Sequence, residues 1–171
     1  MSNDVKSHKK NFLGELGDFP EGTMSIGRLD EKSEGLLLLT TDGKTSNTIN
    51  GSGIEKEYYA QIDGVISSEA VEKMIKGVEI GINGIKYLTK PCKVQKIEKP
   101  DFPNRTQKIR DNRHGPTSWV SITLSEGKFR QVRKMTAAVG FPTLRLIRVR
   151  VGEIHLDSLL SGDSREVSKL L

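Results

Sequence analysis

Four consecutive leucines at 36–39, set between Gly35 and the turn-forming pair Asp42-Gly43, constrain this chain more than any other feature. An apolar run this short does not make a free-standing helix. Bounded by glycines, it reads as a strand covered on both faces. A strand over 35–41 at the centre of a sheet is therefore expected. Just ahead of it stand Gly27-Arg28-Leu29-Asp30 and Ser33. Asp30 is then expected in a short loop feeding the most buried strand, held rigidly yet within reach of solvent.

The rest of the chain alternates between strand and helix signals. Asp42-Gly43 begins a short polar helix through 45–49, closed by Asn50-Gly51-Ser52-Gly53. Residues 55–62 have strand composition and stop at Asp63-Gly64. Ser67-Ser68-Glu69 opens a helix carrying Val71, Met74, Ile75 and Val78, with Gly77 as its cap. Asn83-Gly84 marks a tight hairpin leading to strands near 85–89 and 92–97. A further strand is expected at 118–124. Residues 128–139 read as a helix closed by Gly140. Val132, Met135, Thr136 and Val139 share its packing face with Phe129 alongside, and Arg130, Arg133 and Lys134 fall on another. The alternation of 144–151 slips, so a bulge is expected near Ile147, with Arg145, Arg148 and Arg150 at polar positions. Hairpins mixed with helices, rather than strict βαβ units, imply an α+β fold: a mixed, mostly antiparallel central sheet with flanking helices. A length of 171 residues fits one domain.

Charge narrows the function classes. Lysine and arginine number 27 against 22 acids, and the excess of +5 is concentrated in residues 99–150. The polar stretch 98–116 carries Lys99, Arg105, Lys108, Arg110, Arg113 and His114 against Asp101 and Asp111. A structureless loop of this length in a compact domain usually has a task. It is either a solvated loop or an RNA-contacting one, and the other basic elements favour the second. A single cysteine, Cys92, excludes an internal disulfide and is too few for a thiolate metal site. The three histidines fall into no ligand spacing, and no metal is expected. The first residues are polar and lysine-rich rather than a signal peptide, and no apolar stretch approaches the roughly 20 residues of a membrane span. A cytoplasmic protein with no membrane partner is expected.

There is no zinc-type cluster, P-loop or Ser-His-Asp spacing, so Asp30 is the best available nucleophile if the chain is an enzyme. Its candidate cationic partners are the arginines of the 128–134 helix. Tyr58 and Tyr59 point to opposite faces of their strand. Either one is core and the other solvated, or one ring stacks on an extruded base. The 127–135 segment is either an ordinary basic amphipathic helix or a phosphate site at a helix start.

Three segments carry a resemblance to a known family: GRLDEKSEGLLLLTTDG at 27–43, KEYYAQIDG at 56–64 and EGKFRQVRKMTAAVGFPTLRLIRVRVG at 126–152. In that order they resemble pseudouridine synthases, in the branch acting on ribosomal RNA, from about Met24 to the C-terminus. The resemblance implies the pseudouridine synthase fold with a cleft across the sheet. It implies isomerisation of a uridine without cofactor or metal. Asp30 matches the essential aspartate, Tyr58 the tyrosine that stacks on the target base, and Arg133 the basic residue that pairs with the aspartate. Val132 would lie against the uracil, and Arg28 would help hold the base out of the RNA. Lys56, Lys128, Arg130, Gln131 and Lys134 from these motifs, with Arg105, Arg110 and Arg113 from the loop, are the expected RNA contacts. The implied partner is large-subunit (23S) ribosomal RNA or its assembly precursor, bound by a monomer. The alternatives are small-subunit or transfer RNA, or a non-catalytic RNA-binding module. A strand with a Lys-Pro pair normally precedes the aspartate motif, and residues 1–26 lack one. Residues 1–23 are accordingly expected to be irregular or truncated, with no separate N-terminal RNA-binding domain in a single catalytic domain over 1–171.

Overall fold

The computed structural model of the chain describes residues 13–51, 53–105, 109 and 114–170. A 3-10 turn at Leu13–Leu16 precedes β1 (Met24–Ile26), β2 (Glu34–Gly35), β3 (Leu38–Thr40) and α1 (Gly43–Asn50). The long strand β4 (Lys56–Asp63) follows, then α2 (Ser68–Lys76), β5 (Glu79–Ile82), β6 (Ile85–Leu88) and β7 (Lys93–Ile97). β8 (Thr117–Leu124), α3 (Gln131–Ala138), β9 (Thr143–Val151) and β10 (Ile154–His155) complete the order.

Local chemistry accounts for most of these boundaries. Asp42 caps α1 by accepting from the Lys44 and Thr45 amides, and Ser67 caps α2 through the Ala70 amide. Asn83 and Gly84 both take positive φ, as a two-residue hairpin turn between β5 and β6 requires. The main sheet runs β10-β9-β4-β8-β7, antiparallel throughout, with β2 added in parallel on β9. The fold is α+β, as expected. Alternation along β4, β8 and β9 sends Ala60, Val120 and Leu146 to one face, where α2 and α3 contribute Met74, Val132 and Met135. Trp119 and Ile147 go to the other face, against Ile26, Leu38 and Ile49.

The four leucines do not form the central strand; β4 does. The run leaves the sheet edge at β2 and crosses to a separate ribbon in which β3 pairs with β1. Of the four, only Leu36 and Leu38 are buried. The cause is Gly35, whose φ of 97° and missing side chain let its backbone press onto Arg148; an added Cβ would lie 2.3 Å from the Arg148 carbonyl oxygen.

The bulge expected near Ile147 is instead two register shifts in the pairing of β9 with β4, at Glu57/Tyr58 and Gln61/Ile62. Between them Arg145, Leu146, Ile147 and Arg148 are all buried. The strand's arginines serve the fold. Arg145 grips Glu34 with two 2.9 Å hydrogen bonds and donates to the Pro103 carbonyl, and Arg148 donates to the Leu36 carbonyl at 2.7 Å. Arg150 bonds Glu55 and Glu57. Helix α3 begins three residues later than the sequence suggests, because Arg130 is left-handed with φ 53° and interrupts the helical run.

Replacing Gly35 by alanine should destabilise the protein by about 2 kcal/mol or more in urea unfolding, through positive φ and a backbone clash together. Gly81→Ala, with open space around its Cβ position, should change stability by less than about 1 kcal/mol.

Candidate active site

An open cleft of about 360 Å³ lies where the 26–30 loop faces the end of β8 and the start of α3. Asp30 and Ser33 line it from the loop, Lys56 and Tyr58 from β4, Leu146 and Arg148 from β9, and residues 126–132 from the far side. The two tyrosines divide as alternation requires. Tyr58 packs on the α2/α3 side and reaches the cleft, and Tyr59 meets Phe102 edge-on at 6.2 Å on the opposite face.

Asp30 is half-buried, and its carbonyl accepts the Ser33 amide at 2.8 Å, closing a tight turn. Among the described residues its carboxylate has no hydrogen-bond or ion-pair partner within 4 Å. The direct Asp30–Arg133 pair expected from the sequence is not formed. Arg133 instead grips the backbone next to Asp30, donating through Nη2 to the Lys32 carbonyl at 2.7 Å and Ser33 Oγ at 3.3 Å, and through Nη1 to the Thr143 carbonyl at 3.3 Å. Its Nε is buried without a partner. Burial lowers the Arg133 pKa, with Arg130 and Arg105 adding to that effect and the charge of Asp30 opposing it. Asp30 and Arg133 are therefore electrostatic neighbours without touching.

Arg105, expected as an RNA contact, is turned inward with its side chain 9% exposed. It donates to the same Lys32 carbonyl at 3.0 Å and lies 3.5 Å from Glu34. Arg110 and Arg113 lie outside the described residues.

The far wall rests on a group the sequence did not single out. Glu126 is buried and accepts from the Tyr87 hydroxyl at 2.6 Å, the Lys90 amide at 2.9 Å and Gln131 Nε2 at 2.6 Å. Burial by itself raises its pKa. These three hydrogen bonds and the charge of Lys128 outweigh that, and the carboxyl titrates below its ordinary value. Gln131, expected to contact RNA, is 3% exposed, and its amide is committed to Glu126 and the Lys128 amide. A glutamate five residues before Gln131 was visible in the sequence, but nothing local marks it as buried.

Of the other expected contacts, Val132 is buried at the cleft floor. The Lys56 ammonium donates to the Ile49 and Ile54 carbonyls at 3.3 Å, and its pKa is lowered by burial and by Arg148. Lys128 lies over the Tyr87 ring at 4.8 Å. Arg28 and Arg130 are exposed. Phe129, expected alongside the packing face of α3, is exposed at the cleft, with Arg28 5.5 Å and Lys134 5.1 Å from its ring centre. Among the described residues no acidic, histidine or cysteine cluster suits a metal ion, and no helix is long and apolar enough to cross a membrane.

Because the folded pKa of Glu126 lies below the unfolded one, its stabilisation is complete above the ordinary carboxylate range. It disappears as pH falls through the folded value. Glu126→Gln should cost about 1–3 kcal/mol at pH 7 and flatten the loss of stability between about pH 5 and pH 3, read by urea unfolding across pH.

The chain matches the family model for RNA pseudouridylate synthase over residues 2–138. It is 43% identical over 145 residues to the ribosomal large subunit pseudouridine synthase E of Vibrio parahaemolyticus, covering 84% of this chain and 59% of that protein. With the protein of the same name from Xanthomonas axonopodis it shares 36% identity over 159 residues, covering 91% and 81%. A crystal structure of a pseudouridylate synthase superposes with a TM-score of 0.71 at 30% identity, over 91% of this chain and 61% of that one. The chain spans about three-fifths of the length of its Vibrio relatives. A motif order, a cleft and a fold thus agree, and the chain belongs to the RNA pseudouridylate synthase family.

Proposed function

We propose that this protein isomerises one uridine of large-subunit ribosomal RNA to pseudouridine, acting as a monomer in the cytoplasm. The observation that carries the reading is Asp30 and Tyr58 lining one open cleft in a member of this family. The names of the relatives in Vibrio and Xanthomonas support the choice of RNA.

The reaction breaks the N1–C1′ bond of the uridine and joins C1′ to C5; the C5 proton leaves and N1 gains one. A paired base hides that bond inside the helix, so the nucleotide must swing out at a cost of a few kcal/mol. Tyr58 offers a ring for the uracil to stack on, Val132 gives it an apolar floor, and the exposed Arg28, now over the Phe129 ring, can swing into the gap left in the RNA. Lys128, Arg130 and Lys134 supply cations for the phosphates beside it. Asp30 then acts on the nucleotide either by attack at C1′ or by removing a sugar proton, and both need an ionised carboxylate. Arg133, held on the adjacent Lys32 carbonyl and Ser33 hydroxyl, places a positive charge beside Asp30 without bonding to its carboxylate.

Because no hydrogen bond or ion pair among the described residues uses the Asp30 carboxylate, Asp30→Asn should alter stability by less than about 0.5 kcal/mol. Its RNA affinity should stay near wild type while product formation is abolished. Carbodiimide mapping by primer extension on ribosomal RNA, from cells with and without the gene, tests the whole reading. One large-subunit stop should vanish with the gene and return with wild type but not with Asp30→Asn. An unchanged map overturns the proposal.

A further inference from the structure

Phe129 is 49% exposed and is the one aromatic among the exposed large apolar side chains of the described residues. Leaving a phenyl ring in water forfeits the free energy that its burial would gain, and nothing in the packing of α3 requires it there. The exposure is built into the backbone. Left-handed Arg130 separates Phe129 from the helix, so the ring does not join Val132 and Met135 in the core. Its surroundings are fixed on both sides: the Lys128 amide is held by Gln131 Oε1 at 3.0 Å, and Lys134 Nζ by the Gly81 carbonyl at 2.6 Å.

Two cations flank the ring, Lys134 at 5.1 Å and Arg28 at 5.5 Å, and the ring itself lines the cleft that holds Asp30 and Tyr58. A flat apolar surface among cations is how proteins hold single-stranded nucleic acid: bases stack on the ring, and charges follow the phosphates. Tyr58 already serves the flipped uridine in the function proposed above. We infer that Phe129 is a second stacking platform, which takes the base of the nucleotide next to the modified uridine. The inference rests on that function for the identity of the RNA. Base stacking on an aromatic side chain tolerates any base, so Phe129 contributes affinity and register rather than base identity.

The test uses the full chain and a fluorescein-labelled ten-nucleotide oligouridylate, titrated by anisotropy at several salt concentrations. Tritium release from 5-tritiated large-subunit RNA transcript is measured in parallel. Phe129→Ala should weaken oligonucleotide binding by about five- to hundredfold, the range of one lost base stack. Phe129→Tyr should bind within about twofold of wild type, and Phe129→Leu should not rescue, because a branched aliphatic chain has no π-face. The salt dependence should be unchanged in all three, since no phosphate contact is removed. On transcript, Phe129→Ala should raise KM and leave kcat near wild type. Binding by Phe129→Ala within twofold of wild type, rescue by leucine, or a shallower salt slope would each overturn the inference. The two proposals fail separately. Wild-type protein that releases no tritium yet shows the binding contrast sinks the isomerase reading and keeps the platform. An active enzyme indifferent to Phe129→Ala does the reverse.

Discussion

One backbone carbonyl, that of Lys32, accepts hydrogen bonds from two guanidinium groups, Arg133 of α3 at 2.7 Å and Arg105 at 3.0 Å. The cleft depends on this grip. Between β1 and β2 the chain has no ladder of its own, and the 30–33 turn is closed by a single backbone bond. Charged donors on a carbonyl form short, directional bonds, each worth about 1.5–3 kcal/mol. Two of them hold the segment carrying Asp30 against elements far away in sequence. The residues after it are fastened in the same way, Glu34 by Arg145 and the Leu36 carbonyl by Arg148. Four arginines, one from the segment after β7, one from α3 and two from β9, thus stitch an otherwise irregular segment to the rest of the fold.

The two carboxylates of the cleft show what that arrangement separates. Glu126 is buried, accepts three hydrogen bonds and is tied to the scaffold. Asp30 lines the cleft and its carboxylate has no hydrogen-bond or ion-pair partner among the described residues, while the Arg133 guanidinium stands nearby without bonding to it. Had Arg133 bonded to Asp30 directly, it would have occupied a carboxylate oxygen that the proposed reaction uses. Gripping Lys32 instead fixes position and supplies field with the carboxylate left open.

Signals confined to a few residues were legible in the sequence. The Ser67 cap, the Asn83-Gly84 hairpin and the strands now seen as β4 and β8 each follow from chemistry within one turn or one strand. Readings failed where a distant partner decides. The four leucines look like a central strand until Gly35 meets Arg148, more than a hundred positions away, and bends them off the sheet. Arg105, Arg145 and Arg148 look like surface charge because sequence shows a cation but not the carbonyl or carboxylate that takes it. Phe129 looked like core because one left-handed residue, Arg130, is invisible in a helical pattern. The family motifs pointed to Asp30, Tyr58 and Arg133, and the structure adds that Arg133 holds the backbone beside Asp30 rather than its carboxylate.

Hydrogen–deuterium exchange on wild type and Arg133→Met, whose side chain keeps the apolar stem and loses the donors, tests the Lys32 grip most directly. The peptide spanning 30–34 should exchange about tenfold faster or more in the variant, with β4 and the rest of α3 at wild-type rates and the proposed isomerisation reduced by about a hundredfold. Wild-type protection across 30–34 in a folded Arg133→Met protein would contradict it.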